Sequence, residues 1–328
     1  MSIKRCLQKS HWIDEYLTIK MKDENGGKTM YKQIYVGVDG SESSDEALKK
    51  ASYFSRQFNV SLSIVNVVDT RNFTLSGTDT TKIWEMLEDD AKNLLESSKN
   101  EAENLGVKDV RTELLIGNPR SEIPNKLDEK HTADLLILGG SGRNAVSRFL
   151  VGSVTDAAVH RTKTDVLTVK NESSTPEYEH ILAAVDGSTQ AEMALNQAIK
   201  LAETYNSALT IAHVIEFHPN SQTYELVAMQ RKMIQEGDLD IQDEAKEERE
   251  MLEKYQALAT EKGVQDVRTI LHYGNPRKEI PRTLVEQNEI DLLVTAATGR
   301  GAVERFFVGS VAYASIHHAP CDILTVKN

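Results

Sequence analysis

Two stretches of this sequence have the glycine and hydroxyl spacing of a phosphate-binding loop. In the first, residues 138–154 (LGGSGRNAVSRFLVGSV), two residues separate Gly139 from Gly142, and nine more separate Gly142 from Gly152-Ser153. Glycine allows positive φ and a close approach of the backbone to a ligand. A helix that begins at Gly152-Ser153 would direct its first N–H groups at an anion. Phosphate is the ligand that this arrangement suits best.

The same pattern recurs at residues 295–311, which read TAATGRGAVERFFVGSV. The spacing from Gly299 to Gly309-Ser310 is unchanged, and Ala296 is the one departure, because it stands where Gly139 stands in the first stretch. A single glycine-rich loop is weak evidence, since such glycines also serve tight turns that bind nothing. The recurrence favours a binding function.

The elements that would position the first loop follow from the apolar pattern. The predicted strands are residues 34–38, 62–68, 110–116, 135–138 and 166–170. Amphipathic helices are predicted between them: one capped by Ser43 or Ser44, one that ends near Gly106, one with Asn118 as cap and Pro119 as first residue, and one over 153–161. Strands that alternate with helices predict a parallel, doubly wound sheet with right-handed crossovers.

The chain then repeats this whole pattern. The sequence VDGS around Asp39 returns around Asp186, 147 residues later, whereas the motif GNPR and the Gly-Ser pair return after 157 residues. The second copy therefore carries a net insertion of ten residues, which we place within 216–250. We predict an extension at 1–30, a first repeat at 31–171, a linker at 172–177 and a second repeat at 178–328. Each repeat is expected to be an α/β domain with a five-stranded parallel sheet.

Composition limits the classes of function. The chain has 328 residues, 40% of them apolar, and a formal net charge of −12. That acidity argues against a non-specific nucleic-acid binder, and no apolar run is long enough to span a membrane. The two cysteines, Cys6 and Cys321, have neither disulfide-framework nor metal-site spacing. Together with the lack of a secretory signal pattern at the N-terminus, these features lead us to expect a cytoplasmic protein.

The combined motifs resemble the universal stress protein family. The resemblance rests on a strand that ends in VDGS, on Gly-x-x-Gly followed nine residues later by Gly-Ser, and on a last helix and strand, and it covers residues 31–328 as two tandem copies. The sequence HAPC before the last strand, at 318–321, is also similar to that family. The resemblance implies a Rossmann-like fold of the adenine nucleotide alpha-hydrolase type, with ATP across the carboxyl ends of the strands.

The resemblance also implies which residues bind ATP in the first repeat. A carboxylate would bond the adenine side, apolar side chains would flank base and ribose, and the glycine-serine segment would form the phosphate cradle. The residues carried over in this way are Asp39, Val67, Leu138, Gly139, Gly142, Gly152, Ser153 and Val154. Arg143 and Arg148 flank the loop, where they either add positive charge or are ordinary surface arginines. Whether Mg²⁺ accompanies the phosphates is left open.

The second repeat has matching positions, with two differences. Thr295 replaces Leu138, and Ala296 replaces Gly139. A methyl group at 296 would cost about 1 kcal/mol if that position needs positive φ or close approach to the ligand. We therefore expect the better site in the first repeat and a weaker or empty one in the second. The carried-over positions are Asp186, Val214, Thr295, Ala296, Gly299, Gly309, Ser310 and Val311.

Each of these residues has an alternative that involves no ligand. Asp39 and Asp186 could cap the turn or helix that follows them. Val67 and Val214 would be buried strand residues in any fold of this class. Only the joint spacing favours binding.

Three functions remain open at this stage. The leading hypothesis is an ATP-binding stress-response module whose occupancy changes a surface for a protein partner. The others are a slow ATPase and a nucleotide-free interaction protein; no GxxxxGK[ST] loop, GxSxG elbow or HExxH motif indicates faster chemistry. Members of the family commonly pair through their last strand, so we expect the two repeats to form an internal pseudo-dimer. Association of two chains is left open.

Overall fold

The computed structural model describes residues 30–71, 80–130, 134–140, 151–170, 177–216, 245–299 and 308–327. The predicted extension at 1–30, the linker and the insertion thus fall almost entirely outside the described residues, as do Gly142, Arg143 and Arg148. The elements of the first repeat within these ranges are β1 (Gln33–Gly37), α1 (Glu42–Phe58), β2 (Ser61–Asp69), α2 (Thr80–Asn104), β3 (Val110–Gly117), α3 (Pro119–Lys130), β4 (Leu135–Gly139), α4 (Ser153–Arg161) and β5 (Asp165–Val169).

The second repeat has the same order of elements. Its elements are β6 (His180–Ala184), α5 (Thr189–Tyr205), β7 (Ala208–Glu216), α6 (Lys246–Glu261), β8 (Val267–Gly274), α7 (Pro276–Lys278), a π-helical segment (Glu279–Leu284), α8 (Val285–Gln287), β9 (Leu292–Ala296), α9 (Ser310–His318) and β10 (Asp322–Val326). The predicted strands and helices are confirmed within one or two residues at their ends.

The ten strands of the described residues form one sheet, in the order β3-β2-β1-β4-β5-β10-β9-β6-β7-β8. Pairing is parallel within each repeat. In the first repeat the strands are added towards one edge of the sheet from β1 to β3 and towards the other edge from β4 on, so the strand order reverses between β1 and β4. In the second repeat it reverses between β6 and β9. Doubly wound sheets bind their ligands at such a reversal, outside the carboxyl ends of the strands. Both glycine-rich loops follow the strands at these reversals.

The two repeats meet through their last strands. β5 and β10 pair antiparallel, with Leu167 opposite Leu324 and with the flanking pairs Thr168–Ile323 and Val166–Thr325. An offset of 157 residues exchanges the two flanking pairs, so Leu167 and Leu324 lie at a pseudo-two-fold axis. The predicted internal pseudo-dimer is confirmed, and it is self-complementary in the way that two-fold interfaces are.

Helix α1 shows how the local sequence produces these elements. Its apolar positions, spaced three and four residues apart, are all buried, as in Ala47, Leu48 and Phe54. The cap, however, is Ser41 and not Ser43 or Ser44: the Ser41 side chain accepts a hydrogen bond from the N–H of Ser44. The prediction placed the cap too late because each of these serines is suited to the role. Within the described part of the chain, no helix has the length and apolar character of a membrane span.

Candidate functional site

The aspartate after the first strand of each repeat closes the turn into the next helix. In the first repeat, the N–H and Oγ–H of Ser41 donate to Asp39 Oδ1 at 3.0 and 2.6 Å. In the second, the N–H of Ser188 donates to Asp186 Oδ1 at 2.9 Å. The turn role considered for these carboxylates is therefore present. This role involves Oδ1 of each carboxylate, and a turn role does not by itself exclude a ligand role.

The second oxygen of Asp186 lies against the glycine-rich loop. A Cβ atom built on Gly299 would be 2.6 Å from Asp186 Oδ2, which is closer than real Cβ contacts. Any side chain at residue 299 would therefore displace the carboxylate. Glycine is therefore required at residue 299 for a structural reason, because only glycine leaves room for the carboxylate of Asp186.

The Gly-Ser pairs stand at the starts of helices, as predicted. Gly152 is the N-cap of α4 and Gly309 is the N-cap of α9, and neither provides a side-chain cap. Their N–H groups donate to Gly140 O at 2.7 Å and to Ala297 O at 2.6 Å. These bonds fix each helix start against the loop after the fourth strand. The N–H groups of the next residues have no intrahelical acceptor by helix geometry, and they carry the positive end of the helix dipole.

A cavity of about 610 Å³ opens at these elements in the second repeat. All eight positions that the sequence indicated for this repeat line it. They are Asp186, Val214, Thr295, Ala296, Gly299, Gly309, Ser310 and Val311. Residues from β6, β7, β9, α7 and α9 thus meet around one space, although more than a hundred residues separate the first of them from the last. The volume lies in the range of small-molecule sites in proteins, 300 to 1,000 Å³ roughly.

The side chain of Ala296 does not obstruct this cavity as the sequence analysis supposed. Side chains alternate along a strand, and Ala296 packs with Leu292 and Val294 against the large core cluster on the α5 side of the sheet. Its neighbour Leu293 belongs to the other cluster, on the α9 side. The methyl group of Ala296 therefore packs on the α5 side of the sheet, although the residue is among those that line the cavity.

Gly139 is needed in the first repeat for a related reason. A Cβ atom there would be 2.1 Å from Ser43 Oγ and 2.6 Å from the carbonyl oxygen of Ser43. The first turn of α1 lies against Gly139, so the absence of a side chain allows helix and strand to approach. The second repeat has Gln190 at the position of Ser43 and accommodates the alanine. The glycine-to-alanine difference thus reflects helix packing.

The described part of the first repeat brings its predicted apolar residues together. Leu138 is buried in a cluster with Ala158, and Val67 and Val154 pack against that cluster. Gly139, Gly152 and Ser153 stand at the strand end and helix start, as described above. Gly142 and Arg143 lie outside the described residues, so their binding roles remain predictions.

Sequence reasoning did not assign a site role to several residues that line the second cavity. Arg277 is the most relevant of them, because it brings a cation to a space bordered also by Glu216 and Glu248. Asn275 caps the start of α7 by accepting from the N–H of Arg277 at 3.1 Å. The recurrence of GNPR in both repeats was the available signal for Arg277.

His213 is a second residue of this kind. Its Nδ1 lies 2.7 Å from the carbonyl oxygen of Val185, and in the first repeat the Nδ2 of Asn66 donates to Val38 O over the same distance. Each side chain thus joins the residue after the first strand of its repeat to the second strand by a hydrogen bond. These bonds hold the two strand ends together at the edge of the site. Among the residues that the structure describes, no group of three His, Cys, Asp or Glu side chains has the arrangement of a metal site.

Comparison with known proteins gives a consistent result for both repeats. The model of the universal stress protein family matches residues 30–170 and again 177–327. A universal stress protein of Staphylococcus haemolyticus is 39% identical over 150 residues, which are 46% of this chain and 85% of that protein. One from Staphylococcus aureus is also 39% identical, over 46% of this chain and 84% of its own length.

Solved structures extend the likeness to the tandem arrangement. The crystal structure of a universal stress protein from Archaeoglobus fulgidus superimposes with a TM-score of 0.65 at 19% identity, covering 90% of this chain and 98% of that one. At this identity the similarity establishes the fold. With the two family matches, the duplicated α/β fold and the recurring glycine-serine spacing, the chain belongs to the universal stress protein family, as a member with two tandem domains.

Proposed function

We propose that this protein binds an adenine nucleotide, ATP in the first instance, and that nucleotide occupancy regulates its role in a stress response. The observation that carries the proposal is the cavity of the second repeat, where all eight indicated residues meet at the uncapped start of α9. Free backbone N–H groups and a helix N-terminus favour phosphate. Val214 and Ile280 supply apolar surface for a base.

We further propose that the second repeat binds nucleotide as well as the first. The expected weakness of the second site depended on Thr295 and on a cost of the Ala296 methyl group from positive φ or close approach to the ligand. Ala296 does not have positive φ, and it packs on the α5 side of the sheet. Arg277 favours the phosphates, because a guanidinium is always charged and suits phosphate geometry. Glu216 and Glu248 oppose an anion, so a divalent cation that accompanies the phosphates would favour binding here.

The test is a count of nucleotide per chain. The purified full-length protein is dialysed and denatured, released nucleotide is identified and quantified, and ATP with Mg²⁺ is then titrated calorimetrically into nucleotide-free protein. The matched variants are Gly152→Val and Gly309→Val, which add a side chain at equivalent N-caps. A Cβ atom on Gly309 would be 3.3 Å from Ala297 O, so a side chain there requires this backbone to shift by a few tenths of an ångström.

We expect two ATP per wild-type chain and one in each variant. One ATP that disappears only in Gly152→Val would show that the second repeat is degenerate, as the sequence analysis expected. If wild-type protein bound no ATP in the titration either, the proposal would fail, and a nucleotide-free interaction protein would replace it. A phosphate-release assay on the same samples would detect the slow ATPase.

A further inference from the structure

Two lysines cross the junction between the repeats. Lys170 follows β5 of the first repeat, and its Nζ donates to Ala319 O of the second repeat at 3.0 Å. Lys327 follows β10 of the second repeat, and its Nζ donates to Val159 O of the first. The two lysines occupy equivalent positions, 157 residues apart, and each crosses to the opposite repeat. Their acceptors are offset by three residues, because Ala319 corresponds to Thr162 and not to Val159.

The carbonyls that these lysines reach stand at the far ends of the two helices that begin at the Gly-Ser pairs. Ala319 is the C-cap of α9, and Val159 lies in the last turn of α4. The last carbonyls of a helix lack intrahelical donors and carry the negative end of its dipole, so a cation there stabilises the helix. Each helix is nine residues long, and therefore about 13 Å separates its cradle from its lysine.

Both lysines are held in place by buried carboxylates of the opposite repeat. The backbone N–H of Lys170 donates to Asp322 Oδ1 at 2.8 Å, and that of Lys327 donates to Asp165 Oδ1 at 2.7 Å. The exposed fractions of Asp322 and Asp165 are only 1% and 8%. Their hydrogen bonds therefore fix the backbone from which each lysine side chain extends to the helix end.

Lys170 also contacts the glycine-rich loop of its own repeat. A Cβ atom on Gly140 would be 2.8 Å from Lys170 Cγ, so the lysine stem lies directly against this glycine. The carbonyl of Gly140 accepts the hydrogen bond from the N-cap Gly152. The aliphatic part of Lys170 therefore contacts the glycine-rich loop of the first repeat at Gly140. Its ammonium group contacts the C-terminal end of α9 in the second repeat.

We propose that Lys170 and Lys327 are positioning residues, each for the helix that cradles phosphate in the opposite repeat, and that they couple the two nucleotide sites across the β5–β10 junction. This inference rests on the proposed nucleotide binding for its functional consequence. Its structural part, that each lysine stabilises the helix of the other repeat, holds for the nucleotide-free protein too.

The charge of Lys170 gives the coupling a signature in pH. Burial lowers the pKa of Lys170 to about 8, against the raising effects of Cys321 and Asp322. Burial lowers the pKa of His317 on α9, and the charge of Lys170 adds a smaller lowering effect. Lys170 is mostly cationic at pH 7 and loses its charge as the pH rises through about 8. Stabilisation of α9 should weaken over the same interval.

The first measurement is amide hydrogen exchange on nucleotide-free, full-length protein. In Lys170→Met we expect faster exchange in α9 and little change in α4. Lys327→Met should give the reverse pattern. Lys108→Met, at an exposed lysine between α2 and β3, is the control and should change neither helix. Exchange that is unchanged, or that rises equally in both helices, would overturn the proposal whether or not ATP binds.

The second measurement is ATP affinity in backgrounds with one site silenced. In Gly152→Val, adding Lys170→Met should weaken ATP binding by the second repeat about two- to five-fold at pH 7, as expected for loss of a cation at a helix C-terminus. Lys170→Arg should retain the affinity and remove its decline between pH 7 and 9. In Gly309→Val, Lys327→Met should weaken the first repeat.

The two proposals fail in distinguishable ways. A crossed exchange pattern in a chain that binds no ATP would support the positioning role and refute only the nucleotide function. ATP binding that is insensitive to both lysine substitutions would keep the nucleotide function and overturn the coupling.

Discussion

Replacing Gly139 by alanine separates the two roles that this glycine could have. The added Cβ would lie 2.6 Å from the carbonyl oxygen of Ser43 and 2.8 Å from its carbonyl carbon. Rotation of the Ser43 side chain can remove the contact with Oγ, but the backbone contacts remain, so the first turn of α1 must move by several tenths of an ångström. Forced repacking of this kind costs about 1 to 3 kcal/mol.

The assay is urea unfolding of the full-length protein, followed by far-UV circular dichroism, with ATP binding titrated on the same samples. We expect Gly139→Ala to lower the free energy of unfolding by that amount, while the second repeat binds ATP as before. The matched variant is Ala296→Gly at the equivalent position. It should cost about 0.5 to 1 kcal/mol through backbone entropy and leave the ATP affinity of the second repeat unchanged.

Two results would refute this reasoning. If Gly139→Ala were as stable as the wild type but lost ATP from the first repeat, the glycine would serve approach of the ligand and not of α1. If Ala296→Gly raised the ATP affinity of the second repeat, the methyl group would obstruct the site, as the sequence alone suggested.

Two further predictions concern the junction and the helix caps. Asp322→Asn should cost about 3 to 5 kcal/mol in chemical unfolding, because it leaves the buried ammonium of Lys50, 3.7 Å away, without its carboxylate. Burial lowers the pKa of Lys50 below 10.5, so the folded state binds fewer protons than the unfolded state, and stability rises with pH from the lowered pKa to 10.5. The unfolding free energy of Asp322→Asn should therefore approach that of Asp322→Asn/Lys50→Met at high pH. A difference between these two variants that stays constant with pH would contradict this account. Asn275→Ala and Asn118→Ala should each lose about 1 kcal/mol in thermal unfolding, since both side chains accept one N–H at a helix start, and a clear difference between them would show that the caps are not equivalent.

Much of the fold was predictable because its causes are local. The period of apolar residues along α1, the Pro119 that begins α3 and the Gly-Ser pairs each determine their element within a few residues of sequence. The duplication then supplied a second, independent copy of every pattern. The choice among Ser41, Ser43 and Ser44 as cap was not predictable in this way, because all three satisfy the local rule and only the path of the chain selects one.

The candidate site was predictable in its members but not in their geometry. Family resemblance indicated the residues around Asp186, Gly299 and Ser310, and these do surround one cavity. The position of Arg277 in the cavity lining and the packing of Ala296 on the α5 side of the sheet were missed. Both depend on which face of the sheet a residue occupies and on what packs there.

The sequence by itself determined the two repeats, their parallel sheets and the position of the glycine-rich loops, since these follow from hydrophobic periodicity and turn chemistry. The tertiary structure alone decided that α1 presses against Gly139, and that Lys170 and Lys327 end on helices of the opposite repeat. Those contacts join residues 96 to 168 positions apart. The contact between α1 and Gly139 arises when the first repeat folds and places α1 against β4, whereas the lysine contacts arise only once β5 and β10 have paired.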